Sequence, residues 1–392
     1  MKVLIYTHEF SPFLGGLATT SYKIARGCRD AGLDVTVLAP QYPEGDKGFD
    51  NKFNFRVIRM VGLTRNHGVP SPVKEIAGFL SLSKVLSEVE PNAVFFVTRE
   101  AHIAGGLLPS FSFKVIIRVA GYEAIRYLLG KKLGKRLLGL PMKRLYMRAH
   151  NIISPSHSTA ELLERGGIPR EKVKVIYNGV NPDMLSQNPN LGAIEKLRNK
   201  FNILDGEKVI LTVARLVPGK GQESVIKALP KVTKECHKVK YLIVGEGRYE
   251  EGLKTLAYRE GVNSRVIFAG PVPHSEVINF YDLCDLFIMP NRTIEGKENI
   301  EGLPNVVLEA ASRGKPVITG IPGGAKEAIQ HGRSGYIVDG GNIDEIATRI
   351  LDLLKDDMKA REFGIQGRQR IQEMFTEERM IEEYLKVLGS NQ

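Results

Sequence analysis

"KVILTVARLVPGKGQESVIKALPKVTKECHKVKYLIVGEG", residues 208–247, carries a strand, a turn, a helix and a second strand in one run. KVILTVARL (208–216) is short, β-branched and nearly continuous in its apolar residues, as strands covered on both faces are. PGKGQ supplies the turn and ESVIKALPKVTKE the helix. KYLIVGEG (240–247) begins the next strand. The same grammar opens the chain: KVLIYTHEF (2–10), a helical TSYKIARGCRDAG (20–32), then DVTVLAP (34–40). Strand–helix alternation of this length predicts parallel, doubly wound α/β sheets. Two starts predict two Rossmann-like domains facing across a deep cleft, where ligands of open α/β sheets bind.

The expected division is 1–185, 186–375, and a C-terminal helix within 376–392 that packs back toward the first domain. SQNPNLG (186–192) is polar and turn-rich, which suits a linker. The full 392 residues exceed one ordinary core. No apolar run reaches membrane-spanning length, and MKVLIYTHEF reads as a first strand rather than a signal peptide. Cys28, Cys236 and Cys284 show no paired spacing, so neither a disulfide framework nor a zinc site is expected and a reducing, cytoplasmic compartment fits.

The net charge of +11 is uneven. Residues 1–185 hold 26 lysines and arginines against 15 acidic residues, and the remainder is balanced at 29 each. One half therefore faces something anionic. The run RYLLGKKLGKRLLGLPMKRLYMRAH (126–150) has eight basic residues and no acidic one. Leu129, Leu133, Leu137, Leu140 and Leu145 interleave with them at helical spacing. A basic amphipathic stretch predicts an anionic membrane surface as partner, with Lys131, Lys132, Lys135, Arg136, Lys143 and Arg144 as contacts. Nucleic acid is not expected: Tyr127 and Tyr146 are the aromatics within the run, and no binding motif accompanies them.

"ENIEGLPNVVLEAASRGKPV" (298–317) places Glu301 and Glu309 eight residues apart in an apolar setting. Pro304 favours a helix start, and Gly314 and Pro316 end that helix. Glu301 then lies on the loop before the helix and Glu309 within it. The first-turn N–H groups, from Asn305 and Val306 onward, suit an anion. Carboxylates at both ends and an anion site between them match a hydroxyl–phosphate–hydroxyl ligand such as a sugar nucleotide. Arg215, at a strand end, and Lys220, on a Gly-flanked turn, are placed to neutralise a diphosphate without a metal. SPFLGGLATT (11–20) adds Gly15 and Gly16 between a strand and a helix, where backbone N–H groups approach a ligand.

These segments resemble the retaining GT-B glycosyltransferases of family 4 over essentially the whole length. The resemblance rests on "PFLGG", "ISPSHSTAELLERGGIPREKVKVIYNGVN" (153–181), "VARLVPGKG", "YLIVGEG", "VIFAGPVP", "EGLPNVVLEAASRGKPVI", "PGGAKEAI" and "SGYIV". It implies that Glu309 holds ribose hydroxyls and that Glu301 holds the transferred sugar. It also implies that Arg215 and Lys220, with N–H groups at Gly16, Asn305 and Val306, stabilise the leaving diphosphate. Gly245 and Val272 would lie near base and ribose. Where the family often has a histidine, IIRVAGYEAIR (116–126) has Ala120, while Glu123 keeps the acid. His102, Arg118 and Glu123 are the acceptor or sugar contacts expected to substitute. A second departure, TIEGKEN (293–299), lengthens the approach to Glu301.

The implied activity is hexosyl transfer with retention from a UDP- or GDP-linked sugar to a lipid-linked or glycan acceptor, with no metal and no cofactor beyond the donor. The implied place is the inner face of the cell membrane. Alternatives in the same fold are transfer to a soluble sugar or sugar phosphate, and a nucleotide-sugar epimerase. Oligomeric state is left open by the sequence.

Overall fold

The computed structural model describes residues 1–13, 15–42, 47–60, 71–129, 133–294 and 301–389, with backbone alone at 47, 71–75, 122–124 and 133–136. The chain forms two compact units, Met1–Asn178 with Glu377–Gln392, and Gly179–Thr376.

The first unit is built on seven parallel strands: β1 (Lys2–Tyr6), β2 (Asp34–Pro40), β3 (Arg56–Met60), β4 (Ala93–Phe96), β5 (Lys114–Arg118), β6 (Asn151–Ser154) and β7 (Val173–Val175). Their order is β3-β2-β1-β4-β5-β6-β7. The second unit has β8 (Lys208–Val213), β9 (Val239–Val244), β10 (Val266–Gly270), β11 (Leu286–Met289), β12 (Val317–Gly320) and β13 (Gly335–Val338). Their order, β10-β9-β8-β11-β12-β13, repeats the first. Both are doubly wound Rossmann-like sheets, as the alternation predicts. In each, chain direction across the sheet reverses at the first strand, which sets a switch point between β1 and β4 and between β8 and β11.

The strands are apolar along their length because helices cover both faces. Val3, Ile5, Val37, Phe95 and Ile116 are buried in the first unit, and Ile210, Ile243, Ile288 and Ile318 in the second. The last helix, Glu377–Gly389, belongs to the first unit. Its Met380, Tyr384, Val387 and Leu388 join the core beside Ile24 and Cys28. Gly27 makes room for it, since a Cβ there would come within 2.6 Å of Ile381. Glu377 pairs with Arg26 and, at 3.2 Å, with Lys23.

The first boundary falls at 178/179 rather than 185/186. The helix Pro182–Ser186 is held in the second unit by Arg313, whose Nη1 donates to the carbonyls of Met184 (2.9 Å) and Gln187 (2.7 Å). The basic run is also not one amphipathic helix. Helices span Tyr122–Leu128 and Leu133–Arg148, with Pro141 inside the second. Met142, Leu145 and Tyr146 face the core, whereas Leu137, Leu140 and Met147 are exposed. The leucine stripe therefore divides: Leu145 packs inward while Leu137 and Leu140 meet solvent.

Candidate functional site

Arg215, Lys220 and Glu301 come from loops that follow β8 and β11, at the carboxyl edge of the second sheet and at its switch point. The loop after β8 bends sharply. Gly219 (φ +96°) and Gly221 (φ +92°) flank Lys220 in left-handed backbone that side chains disfavour. A Cβ on Gly221 would strike the Pro290 carbonyl, so the turn can lie directly on the segment after β11. Arg292 donates its N–H to the Gly219 carbonyl at 3.0 Å and closes the two loops together. Lys220 Nζ then reaches Glu301 Oε1 at 2.6 Å, with both side chains mostly buried (13% and 24% exposed).

Burial by itself would raise the Glu301 carboxyl. The charge and hydrogen bond of Lys220 and the charge of Arg215 outweigh it and hold the group below the ordinary carboxylate range. Glu301 is thus ionised at neutral pH, facing two cations. Its main chain is fixed independently. Gly324 donates to the Glu301 carbonyl at 3.1 Å, and Gly323 (φ +85°) passes so close that a Cβ would collide with that oxygen. Asn291, buried, joins the loops after β11 and β12: its Nδ2 donates to the Pro322 carbonyl (2.7 Å) and its Oδ1 accepts from the Gly320 N–H (3.2 Å).

Glu309 lies on the helix Asn305–Ser312, which starts at Pro304 without a side-chain cap. Asn305 and Val306 form its first turn and are half-buried. Tyr281, fully buried on the helix His274–Leu283, donates its hydroxyl to Glu309 Oε2 at 2.8 Å. Burial first, then the Glu309 charge and that hydrogen bond, push the Tyr281 hydroxyl well above its usual range, so it stays a donor. The neighbouring residue Asp282 holds Arg313 in a buried two-pronged pair at 2.7 and 2.9 Å. Two adjacent residues of one helix thereby set the rotation of the other, and with it the Glu309 carboxylate.

Gly245 (φ +130°) ends β9 against the Ala214 carbonyl, where a Cβ would clash, and Gly247 does the same against the Leu216 carbonyl. The Gly-x-Gly of VGEG therefore seats the segment that carries Arg215. Val272 is half-buried in the loop after β10. In the first unit, Gly15 (φ 174°, extended) precedes Gly16, the first residue of the helix Gly16–Asp30.

The acceptor candidates land elsewhere than expected. His102 is 1% exposed on the helix Arg99–Leu107. Its Nε2 lies 3.1 Å from the Phe96 carbonyl, which can only accept, so Nδ1 accepts from the Tyr146 hydroxyl at 3.1 Å. Burial lowers its pKa to about 4. Both ring nitrogens are used inside the core, which corrects the expectation of a ligand contact. Arg118 is 2% exposed at the end of β5. It donates to the Val119 carbonyl (2.6 Å) and to Asn178 Oδ1 (2.5 Å), and burial lowers its pKa against the opposing effect of Tyr384. Expected as an acceptor or sugar contact, it is buried within the first unit. Glu123, Lys135 and Arg136 lie where side chains are not described, and Lys131 and Lys132 lie outside the described residues. Lys143 and Arg144 are exposed.

Sequence reading missed Tyr281, Asn291, Gly323 and Gly324. The PGG of "PGGAKEAI" was the available signal for the last two. Tyr281 and Asn291 carried none, because they act across 28 residues or more of chain.

Comparison with known proteins follows the same division. The family described as Glycosyltransferase Family 4 matches residues 14–184, and Glycosyl transferases group 1 matches residues 193–370. The GDP-mannose-dependent alpha-(1-6)-phosphatidylinositol monomannoside mannosyltransferase of Mycobacterium tuberculosis is 30% identical over 377 residues, covering 94% of this chain and 93% of that protein. The GDP-mannose-dependent monoacylated alpha-(1-6)-phosphatidylinositol monomannoside mannosyltransferase of Corynebacterium glutamicum is 30% identical over 398 residues, covering 99% and 98%. In fold, the chain is similar to sucrose-phosphate synthase from Thermosynechococcus elongatus (TM-score 0.81, 18% identity, 99% and 98% covered). It is likewise similar to HepE of Anabaena in complex with UDP and glucose (TM-score 0.80, 22% identity, all of both chains covered). With two Rossmann-like sheets of one strand order and family matches over both halves, the chain belongs to the GT-B glycosyltransferases of family 4, the glycosyl transferases group 1.

Proposed function

We propose that the protein transfers a hexose, with retention of configuration, from a nucleotide-diphosphate sugar to a lipid-linked acceptor at an anionic membrane surface on the cytoplasmic side. The observation that carries this reading is the Lys220–Glu301 pair at 2.6 Å on the switch-point loops of the second unit. A mostly buried carboxylate beside two cations suits a ligand with hydroxyls at one end and a diphosphate next to them. In this reading Glu301 accepts from hydroxyls of the transferred sugar. Lys220 and Arg215, with the N–H groups of Asn305 and Val306, take the charge that develops on the departing diphosphate. Glu309, held by Tyr281, accepts from ribose hydroxyls, and Gly245 and Val272 border base and ribose.

Charge neutralisation by side chains replaces a metal in this scheme, and the departing phosphate takes the acceptor proton. GDP-mannose is the first donor to test, because both 30%-identical relatives are named for it. Their lipid substrates support the acceptor class. The exposed Leu137, Leu140 and Met147 beside Lys143 and Arg144 support the membrane surface. Among the described residues no helix is long and apolar enough to cross a membrane.

The test is a thermal-shift titration with GDP-mannose, UDP-glucose and ADP-glucose, followed by transfer assays on vesicles containing phosphatidylinositol. GDP-mannose is expected to stabilise the chain most. Stabilisation by none of the three removes the donor assignment. Sedimentation with phosphatidylserine vesicles checks the surface: absence of binding at low salt removes the membrane role.

A further inference from the structure

We propose that Glu223 is a positioning residue for hexosyl transfer: through Arg292 it holds the turn that carries Lys220 to Glu301. The inference rests on the role proposed above for Lys220, but the link from Glu223 to that turn rests on its own contacts. Glu223 lies in the first turn of the helix Gln222–Glu235, directly after Gly221. A carboxylate is favoured at that end of a helix even when it faces water. This one is 4% exposed, and a buried charge needs a counter-charge. Arg292 supplies it: Nη2 and Nε donate to Glu223 Oε1 at 2.6 and 3.2 Å.

Arg292 is held at its side chain and holds with its main chain. Its N–H is the donor to the Gly219 carbonyl at 3.0 Å, and Gly219 precedes Lys220. A continuous path therefore runs from Glu223 through the guanidinium and backbone of Arg292 to Gly219, Lys220 and Glu301. The residues on either side of Glu223 act alike. Gln222 Nε2 donates to the Arg215 carbonyl at 3.3 Å, and Ser224 Oγ to the Gly340 carbonyl at 2.6 Å. Gly340 in turn backs Arg292, since a Cβ there would come within 3.0 Å of the Arg292 Cβ. Three consecutive buried polar side chains thus reach three loops, those after β8, β11 and β13.

The turn needs such a hold. Gly219 and Gly221 permit its left-handed backbone but do not enforce it, because glycine gives up more conformational freedom than any other residue when fixed. The lysine stem is flexible as well. A charge that stabilises a transition state acts best when it is already in place, and small displacements are costly. An ion pair anchored in the first turn of a packed helix is a rigid source of that placement.

The experiment compares the full chain as wild type, Glu223→Gln, Arg292→Lys, Lys220→Ala and Lys220→Ala/Glu223→Gln. Transfer from GDP-mannose to phosphatidylinositol vesicles is followed, together with hydrogen exchange at the Arg292 amide. Expected in Glu223→Gln is a fall in kcat of about tenfold with KM within about twofold. Arg292→Lys keeps the charge, spares the buried end of the pair, and should fall less. In the Lys220→Ala background Glu223→Gln should change kcat by less than about twofold, because its effect passes through Lys220. An equal fall in both backgrounds, or none in either, overturns the proposal. The Arg292 amide should exchange about tenfold faster in Glu223→Gln; unchanged protection overturns the proposal too. If wild type does not turn over GDP-mannose, or Lys220→Ala keeps full kcat, the donor reading fails, and the exchange measurement still decides whether Glu223 holds the turn.

Discussion

Lys220 Nζ donates to Glu301 Oε1 at 2.6 Å across 81 residues of chain. The contact joins the loop after β8 to the loop after β11, and Arg215 adds its charge to the same carboxylate. The pair is thus a fastening between two loops and, in the proposed function, the point at which a diphosphate and a sugar meet.

Removing either cation should slow transfer more than it weakens donor binding. Lys220→Ala and Arg215→Ala are each expected to lower kcat by a factor of about 10² to 10³, the scale of one lost preorganised charge donor. Steady-state kinetics with GDP-mannose checks this. A rise in KM at constant kcat would assign these residues to ground-state binding.

Tyr281 and Glu309 should behave as a unit. Glu309→Ala is expected to weaken donor binding by about tenfold or more, as for a charged hydrogen bond lost. Tyr281→Phe should do so by a smaller factor. A donor with 2′,3′-dideoxyribose should bind wild type and Tyr281→Phe alike, because the hydroxyls assigned to Glu309 in the proposed function are then gone. A persisting difference would make Tyr281 a packing residue only.

Gly323→Ala tests how tightly Glu301 is seated. The added Cβ meets the Glu301 carbonyl, and φ +85° disfavours any side chain. Strain of about 1–3 kcal/mol is expected, with a fall in activity larger than the fall in Tm implies. Equal activity would show that the loop tolerates displacement.

His102 makes the first unit sensitive to acid. Its folded pKa of about 4 lies below the ordinary value near 6.5, so the unfolded chain takes up the proton first. Its contribution is complete above about pH 6.5 and is lost as pH falls toward 4, by up to roughly 3 kcal/mol. Glu301, also depressed, contributes above the ordinary carboxylate value and loses its part only at lower pH. Denaturation midpoints from pH 7 to 4 should flatten in His102→Gln. An unchanged slope would place the acid sensitivity elsewhere.

Chelator treatment addresses the cation requirement. In the proposed scheme Arg215 and Lys220 meet the diphosphate, so transfer in EDTA should match that in buffer; recovery of activity only on adding Mg²⁺ or Mn²⁺ would show that the side chains do not suffice.

Much of this was legible in the chain. β-branched runs separated by helical periods announce the sheets, because strands covered on both faces have no polar side to show. Glu301, Glu309, Arg215 and Lys220 stood out because charge is rare in apolar, Gly-rich surroundings. His102 and Arg118 stood out for the same reason, yet both are buried: the two ring nitrogens of His102 are taken up within the core, and Arg118 donates from both terminal nitrogens while its Nε has no hydrogen bond. A sequence shows that a polar residue lies among apolar ones, but not that a carbonyl elsewhere in the fold will accept its proton. Tyr281 and Asn291 were invisible for the converse reason. Their partners depend on strand order, which local periodicity does not encode.

The last helix has a consequence for how the protein is made. Tyr384, Met380, Val387 and Leu388 complete a core whose other members were synthesised with the first 178 residues. On the ribosome, Gly179–Thr376 is available in full before Glu377 emerges. The unit that starts first therefore finishes last, waiting with Phe95 and Ile24 uncovered. Synthesis that stops short of Glu377 would leave an apolar face open, the kind of surface that chaperones hold and aggregates recruit.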